Sequence, residues 1–133
     1  MGDEPRLFRV LLEVANLDKA SAFYCKLLDQ KGRRVGGGRH YYDCGPVIVG
    51  LVDVALEKKR PKPAPQDLYF AVNDLEKVHA RAHTLKCLSK GDVHGEPAGD
   101  IVTRPWGERC FYAVDPFGNG LCFSDERTLF TGR

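Results

Sequence analysis

The chain has 133 residues, 43% of them hydrophobic and 29% charged, enough to bury a core in one compact domain or in two small halves that share one. Twenty basic residues against eighteen acidic ones leave a net charge of +2, so neither a nucleic-acid nor an anionic-membrane partner is expected. No apolar run reaches the ~18 residues of a membrane span, and the acidic start MGDEPRLF lacks the apolar stretch of a signal peptide. The expectation is a soluble, cytoplasmic protein. Five scattered cysteines without a C-x-x-C argue against a disulfide framework or a zinc knuckle and read as buried, reduced thiols.

The first element is RLFRVLLEV, residues 6–14, a strand-like run. In ANLDKASAFYCKLLDQKG, Asn16 is a plausible N-cap, Ala20, Phe23, Tyr24 and Leu27 recur at helical spacing, and Gly32 is expected to close the helix. RRVGGGRHYYDCG and PVIVGLVDVAL follow as short β-like runs broken by glycine, and EKKRPKPAP (57–65) reads as a linker. The order then starts again. QDLYFAV is a strand, and NDLEKVHARAHTLKC is a helix with Leu75, Val78, Ala82 and Leu85 on one face. KGDVHGEPAG is a loop by composition, and DIVTRPWG, ERCFYAVDP and GNGLCFSDE are three strand candidates. Between the last two lies the turn DPFGNG. There Asp115 can accept from backbone N–H groups ahead of it and Pro116 presets φ.

Val14-Ala-Asn-Leu-Asp-Lys and Val72-Asn-Asp-Leu-Glu-Lys repeat one strand-exit motif at an offset of 58 residues (72 − 14). Each half is strand, helix and about three strands, a supersecondary unit that cannot bury both faces alone. Three stretches then carry a resemblance: VLLEVANLDKASAFYCKLL, its echo LYFAVNDLEKVHARA, and FYAVDPFGNGLCF. Together they resemble the glyoxalase / bleomycin-resistance protein / extradiol dioxygenase group, the vicinal oxygen chelate superfamily, over residues 6–124. The resemblance implies an α+β fold. Its two βαβββ modules, 6–56 and 66–124 joined by the linker 57–65, would curl into a mixed-sheet half-barrel around a central cleft.

Members of this group either hold a divalent metal in the cleft or bind a small molecule without one, and the fold does not decide between them. The resemblance places one metal ligand on the first strand and one on the last strand of each module. Those positions fall on Arg9, Val49 or Gly50, Asp67 and Cys122. A guanidinium has no lone pair to give, and valine and glycine have no donor, so the usual metal site is absent. Glu13, His40, Asp67 and Cys122 are the fallback ligands for one divalent transition metal. His79 and His83 read as solvated helix residues, His40 as a strand-rim residue, and His94 as a loop residue. With strand alternation pointing Arg9 and Glu13 into the cleft, Arg9 would bind a carboxylate, phosphate or sulfonate, or pair with Asp67.

The aromatic lining is expected from Tyr69, from Tyr41 or Tyr42, and from Trp106 and Tyr112, with Cys110 and Cys122 on the inner face of the last hairpin. Phe23, Phe70, Phe111 and Phe123 read as core. A nucleophilic cysteine needs a nearby histidine or cation; only Arg9 is in view, so Cys110 and Cys122 read as inert. The expected function is therefore metal-free binding of a small organic molecule, anionic or aromatic, through Arg9, Glu13, Tyr41, Asp67, Tyr69, Trp106, Tyr112 and Cys122. PWGERCFYAVDPFGNGLCF resembles bleomycin-resistance-like members, which implies drug sequestration by a homodimer without chemistry. The rival readings are a metal-dependent lyase, isomerase or dioxygenase, and a regulatory module with a vestigial cleft.

Overall fold

The computed structural model describes residues 2–133. The first module runs β1 (Arg9–Val14), α1 (Leu17–Leu28), β2 (Arg33–Val35), β3 (Arg39–Cys44) and β4 (Val47–Asp53), closed by a short 3₁₀ turn over Val54–Glu57. The second runs β5 (Leu68–Val72), α2 (Leu75–Thr84), the two-residue strands β6 (Asp92–Val93), β7 (Glu96–Pro97) and β8 (Val102–Thr103), then β9 (Arg109–Val114) and β10 (Gly120–Asp125). A final 3₁₀ turn spans Glu126–Thr128. The main sheets are ordered β1-β4-β3-β2 and β5-β10-β9-β8; in each, the module's first strand is an edge strand running parallel to its last. The fold is α+β, with two helices and mixed sheets not closed into a barrel.

Strand alternation decides what each sheet buries. Leu12 and Val14 of β1, Val49 and Leu51 of β4, Tyr42 of β3, and Phe111, Leu121 and Phe123 of the second sheet join Tyr24, Leu27, Leu75 and Val78 of the helices in one core. Phe70, half-buried, stacks on Phe123, which in turn stacks on Phe111. Helix α1 starts as its sequence predicts, the Asn16 side chain accepting from Lys19 N at 3.1 Å, and α2 is capped in the same way by Asp74, which accepts from Lys77 N at 3.1 Å.

The end of α1 differs from expectation. The left-handed cap is Asp29 (φ 52°), whose N–H returns to the Cys25 carbonyl, three residues before Gly32. The helix stops there because Asp tolerates that conformation. The stretch KGDVHGEPAG is also more than a loop. It forms the small β6–β7 hairpin, which with its flanks covers one face of the second sheet by laying Ala98 on Cys110, Tyr112 and Cys122. Among the described residues no helix is long and apolar enough to cross a membrane.

The two modules are stapled by the DPFGNG turn. Asp115 Oδ1 accepts Phe117 N at 2.8 Å and Asn119 N at 2.9 Å; its Oδ2 accepts Tyr24 Oη–H at 2.6 Å and Asn119 Nδ2 at 2.9 Å. Asn119, fully buried, donates onward to the Glu13 carbonyl at 3.2 Å and accepts Ala64 N at 2.8 Å. Helix α1, strand β1 and the linker thus converge on two side chains of one turn, which is what a buried carboxylate requires.

Candidate functional site

On β1 the residues that alternate away from the helices are Arg9, Leu11 and Glu13, with Arg9 and Leu11 exposed and Glu13 half-buried. β4 runs parallel with Leu11 opposite Gly50, and antiparallel β3 sets Tyr41 opposite Gly50. Gly50, not the buried Val49, is therefore the first module's counterpart of Cys122, which sits opposite Tyr69 in the second. A Cβ on Gly50 would lie 2.7 Å from Leu11 Cδ2 and 2.8 Å from Tyr41 Cε1. The space a ligating side chain would need is filled by the Tyr41 ring.

Two guanidiniums surround that ring. Arg9 lies 5.7 Å from the Tyr41 centroid and 5.0 Å from that of Phe8, and Arg39 Nη1 donates to Tyr41 Oη at 3.0 Å. The Arg39 hydrogen bond holds the Tyr41 phenol below its ordinary pKa. Neither arginine has a carboxylate partner among the described residues. The Arg9–Asp67 ion pair, one of the two roles open to Arg9, is thus not formed. Instead, Glu13 Oε1 accepts the Lys62 backbone N–H of the linker at 2.9 Å.

The other predicted residues lie in the second module. Asp67 packs against Gly120, and Tyr69 is 64% exposed on the free edge strand β5. Both also border a groove of about 650 Å³ between the modules on the helix side, whose walls include Leu27, Val49, Phe70 and Phe123. Tyr112 and Cys122 are buried beneath the β6–β7 hairpin rather than open to a cleft. Trp106 stands in the turn before β9, where its Nε1–H donates to Glu108 Oε1 at 2.7 Å and exposed His94 meets its ring edge-on.

The fallback metal set does not assemble. His40 faces the helix side, buried rather than at a rim, with Nδ1 accepting from Arg34 Nε at 3.2 Å and Nε2–H donating to the Lys31 carbonyl at 2.9 Å. Both ring nitrogens are committed, and Glu13 and Cys122 lie on sheet faces turned from the helices. Among the described residues no three His, Cys, Asp or Glu side chains converge to hold an ion. The donor set does not fit the metal that the family's metallo-enzymes carry. His79 is half-buried, not solvated: Nε2 meets the Gly99 carbonyl at 2.8 Å and the ring stands edge-on to Phe111, while His83 is exposed.

One charged side chain of this region had no signal in the sequence. Arg104 is 2% exposed, stacks 5.3 Å from the Tyr112 ring centroid, and points its Nη2 at the carbonyls of Pro97, Ala98, Asp100 and Cys110 at 3.2–3.4 Å. Its neighbours come from two stretches on either side of it, 97–100 and 110–112, and are mostly backbone carbonyls, so no side-chain pattern announces it.

Paired βαβββ modules with parallel first and last strands, and candidate residues on the sheet faces turned from the helices, define a class of small-molecule-binding and catalytic folds. The sequence profile of the Glyoxalase/Bleomycin resistance protein/Dioxygenase superfamily matches residues 6–123, and the chain belongs to that superfamily. Among solved structures it is similar to a glyoxalase/bleomycin resistance protein from Albidiferax ferrireducens T118, at 20% identity over 90% of this chain and 97% of that one, with TM-score 0.69. It is similar to the oxidase ChaP-H1 at 20% identity over 98% of this chain and 100% of that one, with TM-score 0.76. A lactoylglutathione lyase from Agrobacterium tumefaciens matches at 18% identity over 92% and 95% of the two chains, with TM-score 0.62. At these identities the likeness shows the fold. No curated protein matches the sequence.

Proposed function

We propose that this protein binds and sequesters a small organic anion with an aromatic or flat apolar body, without a metal and without chemistry. The observation that carries the reading is the pair Arg9 and Arg39 around Tyr41, two guanidiniums free of carboxylate partners on a sheet face that also exposes Leu11. An unpaired guanidinium takes a carboxylate, sulfonate or phosphate through two parallel N–H bonds, and the ring beside it takes the ligand's flat face. Gly50 supports the metal-free part, since the Tyr41 ring occupies the place of a ligating side chain. Resemblance to bleomycin resistance proteins makes a drug or drug-like metabolite the natural ligand class.

A homodimer fits the same face. Leu7, Phe8 and Leu11 are 67%, 53% and 43% exposed beside the free edge of β1, an apolar run that a second copy would cover. The test combines elemental analysis of purified protein, light scattering, and calorimetry with aromatic carboxylates and sulfonates. The reading expects metal at background, a dimer mass, and binding that Arg9→Gln weakens at least tenfold. Near-stoichiometric Mn, Fe, Ni or Zn would overturn it in favour of a lyase, isomerase or dioxygenase.

A further inference from the structure

Between the modules, on the helix side, the core stops short of closing. Val10 of β1, Leu28 of α1, and Leu68, Phe70 and Val72 of β5 pack against the core and line the groove of about 650 Å³ that opens there. These five side chains are only half-buried, so the chain leaves apolar surface in contact with water beside its own core. A concave gap of this volume lies in the range that small ligands fill, roughly 300–1,000 Å³.

The charged residues at the groove are Asp43, Asp67 and Arg81. Asp43 is already paired, its two oxygens accepting from Arg33 Nη1 and Nη2 at 2.9 and 3.1 Å. Asp67 lays its carboxylate over Gly120, which by strand alternation shares the side of Cys122 rather than that of the core residue Phe123. Arg81, on α2, is different. Its Nε is buried without a partner, and its one ion-pair contact among the described residues is Nη1 to Asp29 Oδ2 at 3.9 Å. That distance is too long for a hydrogen bond, and the Asp29 side chain is 82% exposed, so the pairing is weak. The Arg81 side chain is itself 28% exposed, and so within reach of a ligand. A half-buried guanidinium with unfilled donors on an apolar wall selects an anion that brings an apolar body with it.

We propose that this groove is a second ligand site, for a free alkyl carboxylate of the fatty-acid type, with its chain along the apolar walls and its carboxylate on Arg81. The walls favour an alkyl chain over a flat ring. They are mostly valine and leucine, and the aromatic pair at the groove, Phe70 and Phe123, is stacked on itself with centroids 5.0 Å apart. The methylenes replace water against Val10, Leu28 and Val72, completing the core where the two modules leave it open. The carboxylate gives the guanidinium the close acceptor that Asp29 does not. The site does not depend on the Arg9–Tyr41 face, which lies on the side of the first sheet turned from the helices.

The test is calorimetry of the full-length protein with decanoate, kept below its micellar concentration, and with 1-decanol, which has the chain without the charge. The expected result is about one decanoate per chain, bound at least about tenfold more tightly than decanol. Arg81→Gln should weaken decanoate at least about tenfold, close the gap between the two ligands, and leave the binding of aromatic sulfonates as it was. Leu68→Trp, which fills the groove, should weaken decanoate and decanol alike. Circular dichroism reports whether Leu68→Trp folds; should it not, the Arg81→Gln reading decides. No saturable decanoate binding, equal affinity for decanoate and decanol in the unmodified protein, or unchanged decanoate affinity in Arg81→Gln would each overturn the proposal. So would failure to bind decanoate together with a light-scattering mass halved by Leu68→Trp, which would make the groove a contact between copies of the chain.

Discussion

The Tyr24 hydroxyl donates to the Asp115 carboxylate at 2.6 Å across 91 residues of chain, tying the first helix to the last hairpin. Tyr24→Phe removes one of four donors to that carboxylate and should cost about 1.5–3 kcal/mol in urea unfolding. Asp115→Ala strips all four donors of their acceptor at a buried site, and should cost about 4–5 kcal/mol or abolish the folded state. A loss below about 0.5 kcal/mol for Tyr24→Phe would show the tie to be unimportant.

The same tyrosine sets an alkaline limit. Burial, then the Asp115 charge and hydrogen bond, raise Tyr24 well above its ordinary value, and burial also raises Tyr42. Above pH ~10 the unfolded chain gives up these phenol protons while the folded chain keeps them. The folded state then holds more protons, so stability is full below pH ~10 and falls as pH rises. Urea midpoints at pH 8, 10 and 11 should decline, and the decline should be shallower in Tyr24→Phe.

An acidic limit comes from the other end of the sheet. Asp125 accepts from Arg127 Nε and Nη2 at 2.8–2.9 Å and from Arg109 Nη1 at 3.4 Å, and the Arg127 bonds bring its pKa down to about 2. Its contribution is present above the ordinary aspartate value of ~3.9 and is lost as pH falls toward about 2. Arg127→Gln should narrow the stability difference between pH 5 and pH 2.5, measured by thermal melting at both.

Gly50→Ala tests the occupied ligand slot. The added methyl group meets the ends of Leu11 and Tyr41, side chains that can give way, so the stability cost should stay within about 1–3 kcal/mol. Binding should suffer more. Displacing the Tyr41 ring should weaken binding of an aromatic anion at least fivefold by calorimetry, and an unchanged affinity would place the ligand elsewhere.

How far these features could be read in the sequence depended on whether their signal was local. The repeat Val14-Ala-Asn-Leu and Val72-Asn-Asp-Leu carries caps and periodicity within a dozen residues, and both modules follow from it. The alternation of β1 likewise placed Arg9 and Glu13 on one face. Register was not local: the pairing of β3 turned His40 toward the helices and Tyr41 away from them, and the pairings of β4 with β1 and β3 set Gly50 rather than Val49 opposite Leu11 and Tyr41. The β6–β7 hairpin is too short for any period to show, so the burial of Tyr112 and Cys122 beneath it stayed hidden. Arg104 was invisible for the same reason, since its environment is made of backbone carbonyls brought in by that hairpin.

The turn that staples the modules makes the covalent link between them partly redundant. Lys58, Lys59 and Arg60 are exposed at the start of the connection, while Lys62 and Ala64 just beyond are held by Glu13 and Asn119. A chain cut at Arg60 therefore leaves two fragments that still share the Tyr24–Asp115 bond, the Asn119–Glu13 bond and one apolar core. The two halves are suited to fragment complementation: expressed as separate polypeptides, each offers the other the surface it cannot bury alone.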